Sequence, residues 1–282
     1  MLHTDIFMII VIQCKDKVGL VAAISGIMAQ EQINIVSMRE HVDTADNRFF
    51  TRLVVENTDD AIALQEKLRS VLPAEASLKV NPLPEKKIIV LVTKEYHCLS
   101  DILIRNHFKT LGSKVECVIG NHAGLGDICH LFTVPFHLIS HEGKSKERFE
   151  MELLNTISQY KTDYLVLAKF MRILSPSFID KFSMRIINIH HSFLPAFAGA
   201  NPYKQAYKRG VKLIGATAHF VTSELDEGPI IAQQIIPVNH SFSAAEMMRA
   251  GREIETAVLA KALHLVFEDR VLVYNNRTVV FE

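Results

Sequence analysis

At 282 residues the chain is longer than the roughly 100–200 residues of one ordinary domain, which points to two. Hydrophobic residues at 49% and charged residues at 22% exclude a disordered chain, which would lack the apolar surface that offsets ordering entropy. Lys+Arg and Asp+Glu both number 31, so there is no cationic excess to neutralise phosphates, and a broad nucleic-acid binder is excluded.

The apolar run 6–12 follows Asp5 and precedes Lys15, Asp16 and Lys17. It is too short to span a bilayer and lacks the flanks of a leader, so it reads as a buried strand over 6–14 and no membrane partner is expected. Asp16-Lys17-Val18-Gly19-Leu20 then opens a helical pattern to about Gln30, with Val21, Ile24, Ile27 and Met28 on one face. Residues 33–41 and 49–56 are apolar and β-branched around the polar turn 43–47, as in a hairpin. A helix over about 59–71 and a strand over 77–80 complete the order βαββαβ, a ferredoxin-like sandwich over residues 1–81. Residues 82–87, with Pro82 and Pro84 beside charges, read as a linker.

From Ile88 onward strands (88–93, 114–119, 133–139, 163–169) alternate with helices (about 99–111, 121–130, 144–160). This is the pattern of parallel βαβ units in an open, mostly parallel, Rossmann-like α/β sheet. Residues 186–189 add an inner strand, strands 213–221 and 230–238 flank the loop 222–229, and a long helix covers about 243–266, with Ser243 as cap for the Glu246 turn. The β-prone tail 271–281 closes the second domain, expected as 88–282. The four cysteines, Cys14, Cys98, Cys117 and Cys129, have no paired short spacing, so reduced thiols in the cytoplasm are expected rather than a zinc knuckle or disulfide framework.

The stretch from Asn188 to Gln233 is the candidate active site, because it sets an amide (Asn188), an imidazole (His190) and a carboxylate (Asp226) at strand ends and in loops. Asn188 and His190, two positions apart, emerge on one side of an extended strand at the sheet edge where such folds bind ligands. Taken singly, Asn188 also reads as a strand-end turn residue, His190 as a satisfied structural histidine, and Asp226, beside Glu227-Gly228-Pro229, as a turn aspartate. His190 and His191 as joint metal ligands are disfavoured, since adjacent strand residues face opposite sides. No metal is expected.

Four segments in order carry a resemblance: Phe170-Met171-Arg172-Ile173-Leu174, then Asn188-Ile189-His190-His191-Ser192-Phe193-Leu194-Pro195, then Gly215-Ala216-Thr217-Ala218-His219-Phe220-Val221, then Glu224-Leu225-Asp226-Glu227-Gly228-Pro229-Ile230-Ile231. They resemble the folate-dependent formyltransferase fold. Residues 6–80 resemble an ACT domain, a module that binds small amino acids and often mediates subunit contacts. The combination resembles the formyltetrahydrofolate deformylase family, which hydrolyses 10-formyltetrahydrofolate to formate and tetrahydrofolate, supplying formate for purine biosynthesis and balancing the one-carbon pool. The resemblance implies that Asn188 donates to the formyl oxygen, that His190 stabilises the oxyanion or delivers a proton, and that Asp226 takes a proton from water directly or through His190. It further implies a pterin pocket lined by Met171, Arg172, Ile173, Leu174, Glu224 and Leu225, where Arg172 reads equally as a structural charge partner, with Thr217 and His219 steadying the Asp226 loop. Asp16, Gly19, Leu20 and Asn34 stand where an effector such as glycine or methionine would bind. A homo-oligomer is expected, and no cofactor beyond the folate.

Two departures separate this chain from the ribonucleotide-using transferases of that fold. Their first strand leads into a glycine-rich loop whose backbone N–H groups can cradle an acceptor's phosphate. Here the position reads Val92-Thr93-Lys94-Glu95-Tyr96-His97-Cys98-Leu99, without glycine and with an added negative charge. His191 stands where those transferases usually carry proline. Water is therefore the expected formyl acceptor. The alternatives are a formyltransferase with another acceptor, of which a tRNA-formylating relative would carry an additional basic C-terminal domain, and a non-catalytic amino-acid sensor.

Overall fold

The computed structural model describes residues 7–56, 58, 60–81, 85–195 and 202–282, so the proline-bearing residues 82–84 of the expected linker lie outside it. Two compact units result, one of 1–84 together with 265–282 and one of 85–264. Among the described residues no helix is long and apolar enough to cross a membrane.

In the first unit, β1 (Phe7–Lys15), β2 (Ile35–Asp43), β3 (Arg48–Glu56) and β4 (Ser77–Asn81) form an antiparallel sheet in the order β2-β3-β1-β4. Side chains alternate between the faces of a strand, so Met8, Ile10 and Ile12 of β1 share one face with Leu53 and Val55 of β3. That face buries Ile24 and Met28 of α1 (Leu20–Gln30) and Leu64 and Leu68 of α2 (Ala61–Val71) in one core. Asp60 caps α2 by accepting from the Ala63 N–H at 2.8 Å. The βαββαβ order matches the sequence reading, with boundaries shifted by a residue or two.

The chain's tail departs from the expected domain plan. Instead of closing the second domain, β12 (Val271–Tyr274) and β13 (Arg277–Val280) form a hairpin whose Leu272 packs with Phe281 and Phe50 in a small core of the first unit. The Arg52 guanidinium donates twice to the Glu268 carbonyl, at 3.1 and 2.9 Å, Lys79 pairs with Asp269, and Arg277 reaches Asp46 at 2.8 Å. The physical cause lies in β1 and β3, which are apolar on both faces, with Val11 and Phe50 opposite the helical core. A sheet with two apolar faces needs two covers.

The second unit is a seven-stranded sheet of β5 (Lys86–Val92), β6 (Ser113–Gly120), β7 (Phe136–Leu138), β8 (Tyr164–Leu167), β9 (Ile186–His190), β10 (Leu213–Phe220) and β11 (Ile230–Pro237). The order is β11-β10-β9-β8-β5-β6-β7, parallel from β9 to β7, with β10 and β11 antiparallel. Ile88 to Val92 have no exposed surface, as expected of a central parallel strand covered on both sides. The chain runs from β5 outward to β7 and then returns to lay β8 on the other side of β5. That reversal opens a crevice at the carboxyl ends of the strands. The helices are α3 (His97–His107), α4 (Gly126–Leu131), α5 (Lys146–Ile157), α6 (Pro176–Asp180), α7 (Pro202–Arg209) and α8 (Ala244–Phe267). The short helices α6 and α7 lie where the sequence reading assigned no element. Ser175 caps α6 ahead of Pro176, a start signal too brief to register as periodicity.

Candidate active site

Asn188 and His190 occupy two of the last three positions of β9 and face the same cleft. The His190 Nδ1 lies 3.2 Å from Asp226 Oδ1, while its Nε2 is buried with no hydrogen-bond partner among the described residues. With Nδ1–H donated to the carboxylate, Nε2 presents a lone pair. The bond from His190 holds the Asp226 carboxyl below its usual range, against the opposing effect of burial. Asp226 is thus an anion beside an imidazole.

His219 fixes the third group. Its Nδ1 donates to the Phe220 carbonyl at 2.8 Å, so Nε2 accepts, and the Asn188 amide nitrogen donates to it at 3.2 Å. That orients the amide with its second N–H still available. Burial lowers the His219 pKa, which keeps the ring neutral and this pattern intact near pH 7. His219 stands 3.8 Å from Asp226, beyond hydrogen-bond reach, so its support goes to Asn188 rather than to the Asp226 loop. Thr217 likewise holds a different loop: it accepts from Leu194 N–H at 3.0 Å and donates to the Ser192 carbonyl at 2.9 Å.

The Asp226 loop is shaped by backbone. Asp226 takes φ +59°, a left-handed conformation that Asp tolerates better than most residues. Two positions on, a Cβ on Gly228 would sit 1.8 Å from the Phe220 carbonyl oxygen, so only glycine lets the loop lie against β10.

The cleft has a volume of about 320 Å³ and is lined by Met171, Arg172, Ile173, Leu174 and Leu225 among others. Glu224 does not line it; its carbonyl instead accepts from the Thr222 hydroxyl at 3.2 Å within the loop. Met171, Ile173 and Leu225 are 55%, 64% and 60% exposed, an apolar rim suited to a flat ring system. The rim is anchored from behind: Met171 N–H donates to Thr93 Oγ1 at 2.9 Å, and Ser175 N–H to Glu150 at 2.7 Å. Sequence reasoning missed Glu150, which sits among the apolar stripe of α5.

A second group of residues missed in the sequence lies at the cleft wall. The carboxylate of Glu255, 1% exposed, receives Tyr203 OH at 2.6 Å, His97 Nε2 at 2.8 Å and Lys169 Nζ at 3.0 Å. Burial opposes its ionisation, yet the His97, Lys169 and Tyr203 contacts prevail and hold its pKa at about 2. Lys169 and His191 both line the cleft. The His191 ring stacks on His190 with centroids 5.1 Å apart, contrary to the opposite-face expectation, because β9 ends at His190 and strand alternation stops with it.

Burial and the Lys169 charge lower the His191 pKa to about 4, against an ordinary value near 6.5. Between those values the unfolded chain binds a proton that the folded chain refuses, so His191's contribution is full above about pH 6.5 and is lost as pH falls toward 4. Urea titrations of wild type against His191→Gln are expected to differ by on the order of 2 kcal/mol in this acid loss by about pH 4.5. Parallel pH curves would remove His191 as the cause.

The expected effector residues do not meet within one chain. Asp16 to Leu20 follow the end of β1 where Lys15 pairs with Arg48, whereas Asn34 bonds Glu56 at the end of β3 that pairs with Phe7. Those ends lie about 26 Å apart at roughly 3.3 Å per strand residue. Gly19, at φ +91°, supplies the left-handed step into α1, and the Leu20 side chain is buried in the core.

Comparison with known proteins identifies the family. Residues 86–263 match the formyl transferase family, and residues 8–73 match the ACT domain family. The formyltetrahydrofolate deformylase of Haemophilus influenzae is 48% identical over 272 residues, covering 96% of this chain and 98% of that protein. The crystal structure of a formyltetrahydrofolate deformylase from Pseudomonas syringae superposes with a TM-score of 0.93 at 37% identity, covering 98% of this chain and 94% of that one. A glycinamide ribonucleotide transformylase from Symbiobacterium toebii reaches a TM-score of 0.67 at 30% identity, and covers only 71% of this chain against 95% of its own. The chain belongs to the formyltetrahydrofolate deformylase family, with an ACT domain ahead of a formyl transferase domain.

Proposed function

We propose that the protein hydrolyses 10-formyltetrahydrofolate to formate and tetrahydrofolate, supplying formate for purine biosynthesis and balancing the one-carbon pool. The observation that carries the mechanism is the His190–Asp226 pair, 3.2 Å apart, with the second imidazole nitrogen buried beside the cleft and unbonded among the described residues. The pterin lies against the 171–174 rim and Leu225. The free N–H of Asn188 donates to the formyl oxygen, where one preorganised donor contributes about 3 kcal/mol to the transition state. His190 Nε2 takes a proton from water as its oxygen bonds to the formyl carbon, and Asp226 stabilises the imidazolium that forms. The same proton passes to N10 as its bond to carbon breaks, and formate leaves.

No metal enters this reading. His97, Cys98 and Glu255 offer ligand atoms within 4.8 Å of one another, but Glu255 is already engaged by an ammonium and a phenol, and burial pushes the Cys98 thiol far above the range in which thiolates form. A cytoplasmic location fits the four free, buried cysteines. A small amino acid such as glycine or methionine is the proposed effector, and a homo-oligomer the proposed state. The separation of Asp16–Leu20 from Asn34 supports both together, because a second copy can supply the missing half of the site.

Incubation with 10-formyltetrahydrofolate and no acceptor is expected to release formate in step with substrate loss. Substrate consumed only when an amine or ribonucleotide is added would overturn the hydrolase reading. Thermal-shift titration with free amino acids tests the effector, and no stabilisation by any of them would leave the ACT domain a structural part.

A further inference from the structure

The two departures from the ribonucleotide-using transferases, the stretch 92–99 and His191, converge on one buried cluster. His97 of the first binds Glu255 at 2.8 Å; His191 packs against Tyr203, with ring centroids 6.3 Å apart, and Tyr203 binds the other oxygen of the same carboxylate. Lys169 completes the cluster from the turn after β8, 8% exposed and at φ +61°, a conformation at which glycine is at ease and lysine is not. A Cβ on Gly251 would lie 2.2 Å from the Tyr203 ring, so α8 is cut back there to admit the phenol.

We propose that this cluster determines the acceptor: Lys169 and His191 form a filled wall of the cleft, braced from behind by Glu255, Tyr203 and His97, that denies an amine its approach to the formyl carbon. The inference rests on the hydrolase reading and adds what excludes other acceptors. Among the described residues none from 93 to 98 lines this cleft, and His97 of that segment turns instead to Glu255 behind the wall. About 320 Å³ suits one ligand rather than two. Water needs no pocket. In hydrolysis the water oxygen bonds to the formyl carbon, the N10–carbon bond breaks, and N10 keeps the electron pair and gains a proton. In transfer the amine nitrogen forms that bond and loses the proton that N10 gains. Both routes attack the same carbon, so the partition follows which nucleophile fits.

The test supplies the full chain with 10-formyltetrahydrofolate and glycinamide, and measures N-formyl product against formate. Lys169→Gly suits the backbone and removes part of the wall; its product ratio is expected to rise by about tenfold or more over wild type. Lys169→Met, which refills the volume, is expected to keep the wild-type ratio. A folded Lys169→Gly with an unchanged ratio or with no turnover overturns the proposal, as does a Lys169→Met that behaves like it. If Lys169→Gly does not fold, His191→Ala opens the same wall and is held to the same criterion. Wild type that releases no formate would instead sink the hydrolase reading, and the wall is then judged on N-formyl product alone.

Discussion

Asp226→Asn is expected to lower formate release on the order of a thousandfold while leaving the thermal midpoint within a few degrees of wild type. The substitution keeps shape and removes only charge. In the wild type the carboxylate accepts from His190 Nδ1 at 3.2 Å, which fixes the tautomer with Nε2 free and stabilises the imidazolium as it forms. An asparagine at 226 can turn its amide nitrogen toward Nδ1, which favours the other tautomer and occupies the lone pair at the wrong nitrogen. Loss of the equivalent carboxylate in His–Asp catalytic pairs lowers turnover by roughly ten-thousandfold. Steady-state formate assays beside thermal melts decide the matter; a well-folded variant with wild-type turnover would show that the base lies elsewhere.

Gly228→Ala is expected to lower turnover about a hundredfold with a stability loss of about 1–3 kcal/mol. The added Cβ would meet the Phe220 carbonyl oxygen at 1.8 Å, where an ordinary contact is near 3.4 Å, so the loop must lift off β10. Asp226 moves with it. An ångström of displacement at a proton-transfer site is enough for a loss of this size. The expected signature is a fall in kcat larger than the rise in KM, because the 171–174 rim is anchored through Thr93 and Glu150 and keeps its place while Leu225 moves with the loop. A rise in KM alone would place the damage in binding instead.

Much of the fold and the central triad were legible in the sequence because both rest on local pattern. The apolar runs of β1 and β5, the apolar and β-branched make-up of β3 and the helical spacing of α1 locate those elements within a few residues. Asn188 and His190 are two apart on one strand, so strand geometry alone puts them on one side. The wall cluster was not legible. Its members come from α3, the turn after β8, the residue after β9, α7 and α8, and each taken singly reads as a polar group bound for solvent. Glu255 lies three and four residues from Val258 and Leu259, on the buried arc of α8, but helical spacing does not say which partners from α3, α7 and the turn after β8 will meet its carboxylate. The tail was readable as β-prone but not in its destination, since its partners on β1 and β3 lie at the far end of the chain. The stacking of His191 on His190 depended on where β9 stops, and element boundaries are what periodicity locates least well.

The hairpin of β12 and β13 also orders events in time. Residues that cover Phe50 and Val11 leave the ribosome only after the whole 85–264 unit has been made. Throughout that interval the first sheet has its helical core but an open apolar face, the condition in which nascent chains associate wrongly or recruit chaperones. A fragment ending near residue 84 would keep that face open permanently, so the ACT module is not a transplantable part: it becomes whole only when residues 265–282 arrive.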